Sequence, residues 1–324
     1  MSEPCKDISV SFAAATLLAE RDWLILTHQY PDGDTLGSAF ALCRALQRTG
    51  RKARVFCPDP IPAKYDYLTA TARADAVSEA HIVAVDVADI KLLGAEAEAV
   101  YGHRVDLCID HHHSNTRYAS RLLLQECSAA AMPVSQVIAA MGVSLDTVIA
   151  EALYTGISTD TGCFKYSNTT AETHRLAAEL MDAGVQADRI NREMFDIKSR
   201  ARIELERLAL AGMQFHFRDR LAIMPVTAEM IDRAGAVEND MEGLAPFPRQ
   251  VEGVWVGVML REKANGGFKV SFRTGNHADA SEIAALLGGG GHAAAAACHI
   301  DKPLDETLSL LVDTIAKAVP RITE

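Results

Sequence analysis

The 324-residue sequence contains no run of about 18 uninterrupted apolar residues, the length that a membrane-spanning helix requires. Its first residues, MSEPCKDIS, also lack the basic-then-apolar order of a secretory signal. The seven cysteines are scattered, and no Cys-x-x-Cys pair occurs, so they indicate reduced core thiols and not zinc ligands. We therefore expect a cytoplasmic protein that has no membrane partner.

Basic residues are also scarce. The chain has 32 Lys and Arg against 43 Asp and Glu, which gives a net charge of −11 at pH 7. Proteins that hold long nucleic acid usually present a basic face, so we do not expect long duplex nucleic acid as a partner. A short substrate whose charge is neutralised by bound metals and a few arginines remains compatible with this balance.

The composition is that of a globular protein, with 49% apolar and 23% charged residues. The length suits two domains. We predict a first domain over residues 1–187, a charged helical linker over 188–212 and a second domain over 213–324. The oligomeric state, monomer or homodimer, is left open.

In the first domain, apolar runs alternate with segments of helical period, which predicts β-α-β units and a parallel sheet. The expected strands are 24–28, 53–57, 82–87 and 105–110, and the expected helices are 35–49, 133–142, 145–156 and 171–184. The second domain has strand-like segments at 215–226, 254–262 and 268–274, followed by helical segments at 281–287 and 306–319. The predicted fold class is therefore α/β, with a parallel-sheet domain followed by a smaller α+β domain.

Three metal-competent side chains, His28, Asp32 and Asp34, lie in one predicted strand-to-helix turn. Two carboxylates two residues apart repel each other unless a positive charge lies between them. For Pro-Asp-Gly-Asp alone, a polar turn at a helix N-terminus is an equal alternative. The addition of His28 at the strand end favours a metal site.

Three further polar motifs follow predicted elements. Asp86 ends an apolar strand, Asp-His-His-His occupies 110–113 after the next strand, and Asp160 follows a helix-like segment. Each has a structural alternative: a buried or helix-capping Asp, a surface loop, or a C-terminal turn. Because ligands in open α/β sheets bind beyond the carboxyl ends of the strands, we expect these side chains to converge. Asp110 would then fix the tautomer of a neighbouring ligand histidine.

Together these motifs supply at least four carboxylates and two imidazoles, without cysteine. Such ligands suit Mn²⁺ or Mg²⁺ better than structural Zn²⁺, and the imidazoles favour Mn²⁺. The carboxylates are too many for one ion, which predicts two ions acting in phosphoryl transfer. We expect two Mn²⁺, with Mg²⁺ or Co²⁺ as substitutes.

The order His-x-x-x-Asp-x-Asp, Asp, Asp-His-His, Asp-Thr-Gly resembles the DHH phosphoesterase superfamily, which includes the RecJ exonucleases and the manganese-dependent inorganic pyrophosphatases. Segments 167–184, 251–262, 269–274 and 288–298 are most similar to the smaller members. These are the NrnA-like oligoribonucleases, which also act as 3′-phosphoadenosine 5′-phosphate phosphatases. The resemblance covers both domains.

The resemblance implies site residues in the first domain. The metal ligands form two groups that share Asp86: His28, Asp32 and Asp86 in one, and Asp34, Asp86, His111 and Asp160 in the other. Two catalytic roles follow, with Asp86 bridging the metals and His112 reaching the scissile phosphate. Ser114 and Asn115 would line the substrate pocket, although a turn after the strand is the alternative for both.

In the second domain, the resemblance implies substrate binding. Gly289, Gly290 and Gly291, with His292, would form a backbone-donor loop around the substrate, and Arg273 would pair with a phosphate. A flexible glycine turn is the alternative. The alanines at 293–297 depart from relatives, in which polar residues and another glycine are common.

The expected function is hydrolysis of short oligoribonucleotides or dinucleotides to mononucleotides, with 3′-phosphoadenosine 5′-phosphate phosphatase activity. An inorganic pyrophosphatase, a RecJ-like single-strand exonuclease and a non-catalytic nucleotide sensor are the alternatives. A pyrophosphatase would show several Lys and Arg around a small anion, whereas Arg273 with a glycine loop favours a larger ligand. An intact set of metal ligands argues against the sensor.

Overall fold

A computed structural model of the chain describes residues 4–73, 75–241, 243–263 and 266–324. The chain forms two compact units, Met1–Ile197 and Lys198–Glu324. The division falls inside 188–212, the segment predicted as a linker, so that its two halves belong to different units. Within the described ranges, every helix is too short or too polar to cross a lipid bilayer.

Six strands form the sheet of the first unit, and every neighbouring pair is parallel. They are β1 (Lys6–Asp7), β2 (Asp22–Leu26), β3 (Lys52–Phe56), β4 (Ile82–Val85), β5 (Leu107–Asp110) and β6 (Arg121–Leu124). Their order in the sheet is β1-β6-β5-β4-β2-β3. The prediction of a parallel sheet is confirmed, although β1 and β6 were not anticipated.

Eight α-helices accompany this sheet in the described residues: α1 (Val10–Ala19), α2 (Gly33–Arg48), α3 (Asp66–Thr69), α4 (Gly94–Tyr101), α5 (Ala131–Ala140), α6 (Thr147–Asp160), α7 (Ala171–Asp182) and α8 (Ala187–Asn191). A π-helical turn, Arg192–Asp196, follows α8. The four predicted helices correspond to α2, α5, α6 and α7. Helix α6 runs on past the predicted end at 156, so Asp160 is its last residue.

The strands of the first unit are buried on both faces. In β2, Trp23 and Ile25 pack into a core with residues of α1, α2, α5, α6 and α7, whereas Leu24 and Leu26 pack on the opposite face with residues of α4. Successive side chains of a strand point to opposite faces, so a continuous apolar run is what a sheet covered on both sides requires.

The second unit contains a mixed six-stranded sheet, in which β8 and β9 are parallel and the other pairs are antiparallel. Its strands are β7 (Gln214–His216), β8 (Leu221–Val226), β9 (Val256–Glu262), β10 (Phe268–Thr274), β11 (Gly290–His292) and β12 (Ala295–Ile300), and its helices are α9 (Arg200–Ala211), α10 (Ala228–Ala234), α11 (Ala280–Ala285) and α12 (Leu304–Ala318). The order is β11-β12-β10-β9-β8-β7. The predicted α+β class is confirmed.

Two cores lie on opposite faces of this second sheet. Phe268, Val270 and Phe272 of β10 pack with Ile283 of α11 and Leu311 of α12. On the other face, Leu205 and Ala209 of α9 pack with apolar residues of β8 and β9. Helix α9 is therefore part of the fold of the second unit and is not a free connection.

Candidate metal centre

Three neighbouring strands of the first sheet end at the same edge, and a metal-competent side chain follows each of them there. His28 comes two residues after β2, Asp86 directly follows β4, and His111 directly follows β5. Because β2, β4 and β5 are adjacent and parallel, their carboxyl ends lie side by side. The topology therefore brings these three side chains together from distant parts of the chain.

Two helices add the remaining acidic side chains. Asp32 caps the N-terminus of α2, where its Oδ1 accepts hydrogen bonds of 3.0 Å from the backbone N–H groups of Asp34 and Thr35. Asp160 ends α6. Helices α2 and α6 approach closely at Gly37, where an added Cβ would lie 2.3 Å from the carbonyl oxygen of Ala152. A glycine is needed here for the two helices to bring Asp34 and Asp160 to the same site.

The ligand atoms form three overlapping groups, each of which could hold an ion: His28, Asp32 and Asp86; Asp86, His111 and His112; and Asp34, His111 and Asp160. His28 Nε2 lies 3.7 Å from Asp32 Oδ1 and 3.7 Å from Asp86 Oδ2. His111 Nε2 lies 3.5 Å from Asp86 Oδ1, 3.8 Å from Asp160 Oδ2 and 3.9 Å from Asp34 Oδ2. These separations exceed hydrogen-bond length. They match two atoms that each lie about 2.1 Å from a common divalent ion.

Asp86 combines burial with an unsatisfied oxygen. Its side chain is 3% exposed, and Oδ1 accepts no hydrogen bond from any described residue. Its backbone is left-handed, with φ +61°, and its N–H donates to the carbonyl of Ile109 over 3.0 Å. A buried carboxylate oxygen without a partner is costly unless a cation binds it. The residues present therefore fit a pair of divalent ions.

Both ligand histidines are oriented by a backbone carbonyl. Nδ1 of His28 lies 2.8 Å from the oxygen of Gln29, and Nδ1 of His111 lies 3.0 Å from the oxygen of Cys127. A ring that donates its Nδ1–H to a carbonyl leaves Nε2 with a free lone pair for a metal. In both residues Nε2 is the atom that faces the carboxylates.

Asp34 is 1% exposed and depends on backbone donors that the sequence did not reveal. The N–H of Ala130 donates to Oδ2 over 2.5 Å, and the N–H of Ala131, at the start of α5, donates to Oδ1 over 3.0 Å. The positive end of a helix stabilises a buried carboxylate. Oδ1 also accepts from the Ser38 hydroxyl over 3.2 Å, so Oδ2 is the oxygen that keeps a lone pair for a metal. No side chain marks the contact with the Ala130 and Ala131 backbone, so sequence patterns could not have identified it.

The carboxylates and imidazoles of the centre are buried close together, and this shifts their pKa values. Burial raises the pKa of Asp34 well above its usual value, and the carboxylates of Asp86 and Asp160 add to this effect. Burial likewise raises the pKa of Asp160 to about 6. For His28, burial alone would lower the pKa, but the Asp32 and Asp86 carboxylates outweigh it and raise the pKa to about 11. For His111, burial alone would again lower the pKa, but the Asp86 and Asp34 carboxylates outweigh it and raise the pKa to about 10.

His112 belongs to one of these groups, with Asp86 and His111, but its Nδ1 also contacts a carboxylate outside the ligand set. Its Nδ1 lies 2.9 Å from Oδ1 of the fully buried Asp110, and this hydrogen bond raises the pKa of His112. His112 Nδ1 also lies 3.5 Å from Asp86 Oδ1, so the ring borders the centre. Its side chain is 43% exposed and accessible to a substrate.

Ser114 and Asn115, the two residues predicted to line the substrate pocket, differ in exposure and in hydrogen bonding. The amide of Asn115 donates to Asp110 Oδ2 over 2.6 Å, and its Oδ1 accepts from the N–H of Arg117 over 2.8 Å. The structure thus engages Asn115 in holding Asp110. Ser114 is exposed in the same turn. His113, for which no role was predicted, is 92% exposed and pairs with Glu126.

The predicted substrate residues of the second unit lie on its sheet. Arg273 is on β10 opposite Ala295 of β12 and donates to the carbonyl of Phe272 over 2.8 Å. The predicted glycine loop is only partly a loop: Gly288 turns the chain with φ +75°, and Gly290–His292 then forms β11, paired with β12. This strand is at the sheet edge, which leaves one side of its backbone unpaired.

Comparison with known proteins identifies both parts of the chain. Residues 22–157 match the family model described as "DHH family, N-terminal domain", and residues 224–319 match the "DHHA1 domain". The bifunctional oligoribonuclease and PAP phosphatase NrnA of Thermus thermophilus is 34% identical over 310 residues, which cover 92% of this chain and 90% of that protein. The protein of the same name from Bacillus subtilis is 24% identical over 90% of this chain and 93% of its own length.

Solved structures with a similar fold include an exopolyphosphatase-related protein from Bacteroides fragilis, with a TM-score of 0.85 and 23% identity over 97% of both chains. RecJ from Thermus thermophilus in complex with Mn²⁺ has a TM-score of 0.56 and 15% identity, and the match covers 96% of this chain and 55% of that one.

Proposed function

This chain belongs to the DHH family, and on that premise we propose that it hydrolyses short oligoribonucleotides and dinucleotides to mononucleotides and also dephosphorylates 3′-phosphoadenosine 5′-phosphate. The names of the relatives from Thermus thermophilus and Bacillus subtilis support both activities. The observation that carries the reaction type is Asp86, a buried carboxylate shared by two groups of ligands with an unsatisfied oxygen directed at them.

The proposal includes two Mn²⁺ ions, with Mg²⁺ or Co²⁺ as substitutes. His28, Asp32 and Asp86 would hold one ion, and Asp34, Asp86, His111 and Asp160 would hold the other. Paired divalent ions supply a nucleophilic water at neutral pH and stabilise the charge that develops on phosphate oxygens. Mixed imidazole and carboxylate ligands support Mn²⁺ over Mg²⁺.

The residues around the ions have separate tasks in this proposal. Asp86 keeps the two ligand groups at a set separation, because its oxygens face His28 and His111. His112 presents Nε2 to a phosphate oxygen, since Asp110 occupies its Nδ1. The hydrogen bond to Asp110 raises the pKa of His112, which favours the cationic ring that can donate a charge-assisted hydrogen bond to the substrate.

We assign the second unit to substrate binding. Arg273 would pair with a phosphate away from the scissile bond. The unpaired side of β11, Gly290–His292, offers backbone N–H groups that suit an anion. We also place the enzyme in the cytoplasm, because all seven of its cysteines are free, as a reducing compartment requires.

The test is a hydrolysis panel with Mn²⁺ and with Mg²⁺: a diribonucleotide, linear diadenylate, 3′-phosphoadenosine 5′-phosphate, pyrophosphate, and an RNA of about 20 nucleotides. We expect turnover of at least one of the first three, and a kcat lower by about 10³-fold in an Asp86→Asn variant purified in the same way. Turnover of pyrophosphate alone would replace the proposal with a pyrophosphatase. Turnover of none would contradict a hydrolytic function.

A further inference from the structure

The two most exposed tyrosines both lie beside metal-ligating residues. Tyr30 is 78% exposed and lies midway between His28 and Asp32 in the chain, and Tyr166 is 60% exposed and follows Asp160 in the turn after α6. The other five tyrosines, all within the described ranges, are buried or half-buried. Phe12 and Phe215 are also exposed, by 51% and 44%. The largest exposed aromatic surfaces therefore accompany the candidate metal centre.

Tyr30 is held in an unusual backbone conformation. Its φ is +55°, in the left-handed region that a bulky aromatic residue rarely occupies. The N–H of Tyr30 donates to Asp59 Oδ2 over 2.8 Å, and the N–H of Gln29 donates to the carbonyl of Leu92 over 2.7 Å. Neighbouring segments thus impose this conformation, and the ring extends into solvent. Such strain is typical of sites that hold a ligand.

Tyr166 is held against a glycine backbone. Gly162 has φ +56°, and a Cβ there would lie 2.3 to 2.6 Å from the outer ring atoms of Tyr166. The Tyr166 N–H donates to the carbonyl of Thr161 over 3.0 Å, and the amide of Asn168 donates to the carbonyl of Asp160 over 3.1 Å. One side of the ring therefore rests on the turn that carries Asp160, and the remainder is open to a ligand.

Both tyrosines are close to candidate ligands along the backbone, since the Tyr166 N–H bonds the carbonyl of Thr161, the residue after Asp160. Consecutive Cα atoms are about 3.8 Å apart, so the Cα of Tyr30 lies no more than about 7.6 Å from those of His28 and Asp32. A nucleobase is separated from its phosphate by one sugar, which is a similar distance. A fixed exposed ring at this distance is suited to stacking on a base.

We propose that Tyr30 and Tyr166 are specificity-determining residues, and that each ring stacks on one of the two nucleobases flanking the scissile phosphate. This inference rests on the proposed function and adds to it how the enzyme selects nucleotides over simpler phosphate esters. Because every base has an aromatic face, stacking requires a base without selecting which one. The enzyme should therefore accept all four bases and discriminate against abasic substrates.

The test compares diadenylate with two analogues that lack either the 5′ or the 3′ base. The wild type should show a KM for each analogue about tenfold above that for diadenylate. Tyr30→Asn, which keeps a residue tolerant of the left-handed backbone, should raise KM about tenfold for diadenylate but not for one of the two analogues. Tyr166→Asn should show the same pattern with the other analogue.

Matched variants separate stacking from other roles. Tyr30→Phe and Tyr166→Phe keep the ring and should retain the wild-type KM, and Phe12→Asn, which removes an exposed ring elsewhere, should change nothing. Equal losses in the Phe and Asn variants would assign the effect to the hydroxyl groups and overturn stacking. Equal KM values of the wild type for intact and abasic substrates would overturn the inference without any variant, while hydrolysis itself would still support the proposed function. Failure to hydrolyse any dinucleotide would overturn both.

Discussion

Asp110 and His112 form a hydrogen bond of 2.9 Å between Oδ1 and Nδ1 that orients the imidazole and raises its pKa. Asp110 is itself held by the amide of Asn115 and by the N–H of His111. These donors lower the pKa of Asp110, as does His112, against the effect of burial, which alone would raise it. The carboxylate thus stays ionised at neutral pH and favours the cationic form of its histidine.

We predict that His112→Gln lowers kcat by about 10²-fold or more, because a positioned cationic donor is lost from the reacting phosphate. Both metals should remain bound, as measured by elemental analysis of the purified variant. The control is His113→Gln, which removes an adjacent histidine that is 92% exposed and should leave kcat unchanged. Loss of one metal equivalent from His112→Gln would instead make His112 a ligand, beside Asp86 and His111.

Asp86→Asn should lower kcat by about 10³-fold, since the bridging charge contributes several kcal/mol to the metal centre. Asparagine tolerates the left-handed backbone that Asp86 adopts, so the variant should fold. Circular dichroism and isothermal titration with Mn²⁺ would measure the fold and the metal stoichiometry. A folded variant with near-normal turnover would exclude the bridging role.

Metal binding should release protons and tighten as the pH rises from about 6 to 8. The pKa values of His28 and His111 are raised to about 11 and about 10 in the metal-free chain, so both rings carry protons in this window. Ions that bind Nε2 must displace those protons. Titration with Mn²⁺ in buffers of different ionisation enthalpy counts the protons released. His28→Gln should release fewer, and an affinity independent of pH would rule out this ligand set.

Arg273→Ala should raise KM for a dinucleotide by about tenfold or more while changing kcat little, because a contact remote from the reacting bond stabilises ground and transition states alike. Lys269→Ala is the matched control. Lys269 lies on the same strand and the same face as Arg273 and is exposed. Steady-state kinetics of the two variants measure KM and kcat. An unchanged KM in Arg273→Ala would remove this residue from substrate binding.

We expect kcat/KM to be highest for RNA of about two to four nucleotides and to fall for longer chains. Each added nucleotide brings another phosphate, whereas the chain has a net charge of −11 and few aromatic residues to stack long strands. A 5′-labelled RNA series at constant Mn²⁺ and salt tests this expectation. Efficiency that is constant or rises with length would favour an exonuclease of the RecJ kind.

Much of the first unit could be predicted because its information is local. Apolar runs bounded by polar clusters predicted β2, β4 and β5. Because parallel strands end at one edge of a sheet, the sequence also predicted that His28, Asp86 and His111 lie close together. The roles of these residues remain predictions. Short strands such as β1 and β6 have too few residues to show a period, and their pairing depends on contacts distant in sequence.

The features that escaped prediction depend on backbone atoms or on tertiary context. The N–H groups of Ala130 and Ala131 hold Asp34, yet alanine carries no signal of that role. The glycine run resembled a loop because glycine disfavours strands, but pairing with β12 overrides that preference. Asn115 was expected at a pocket from the family resemblance, and that role stays a prediction; its hydrogen bond to Asp110 depends on the turn in which the fold places both residues.

The left-handed, unsatisfied Asp86 has a cost that the metal-free protein bears alone. Strained backbone and a buried carboxylate oxygen that accepts no hydrogen bond from the described residues each favour the unfolded chain. Ions that bind only the folded state offset this cost in proportion to the logarithm of their free concentration. If the proposed ions bind as described, a shortage of divalent metal would therefore do more than slow the enzyme. It would increase the unfolded fraction that proteases degrade, so that metal supply would govern how many copies of the protein a cell retains.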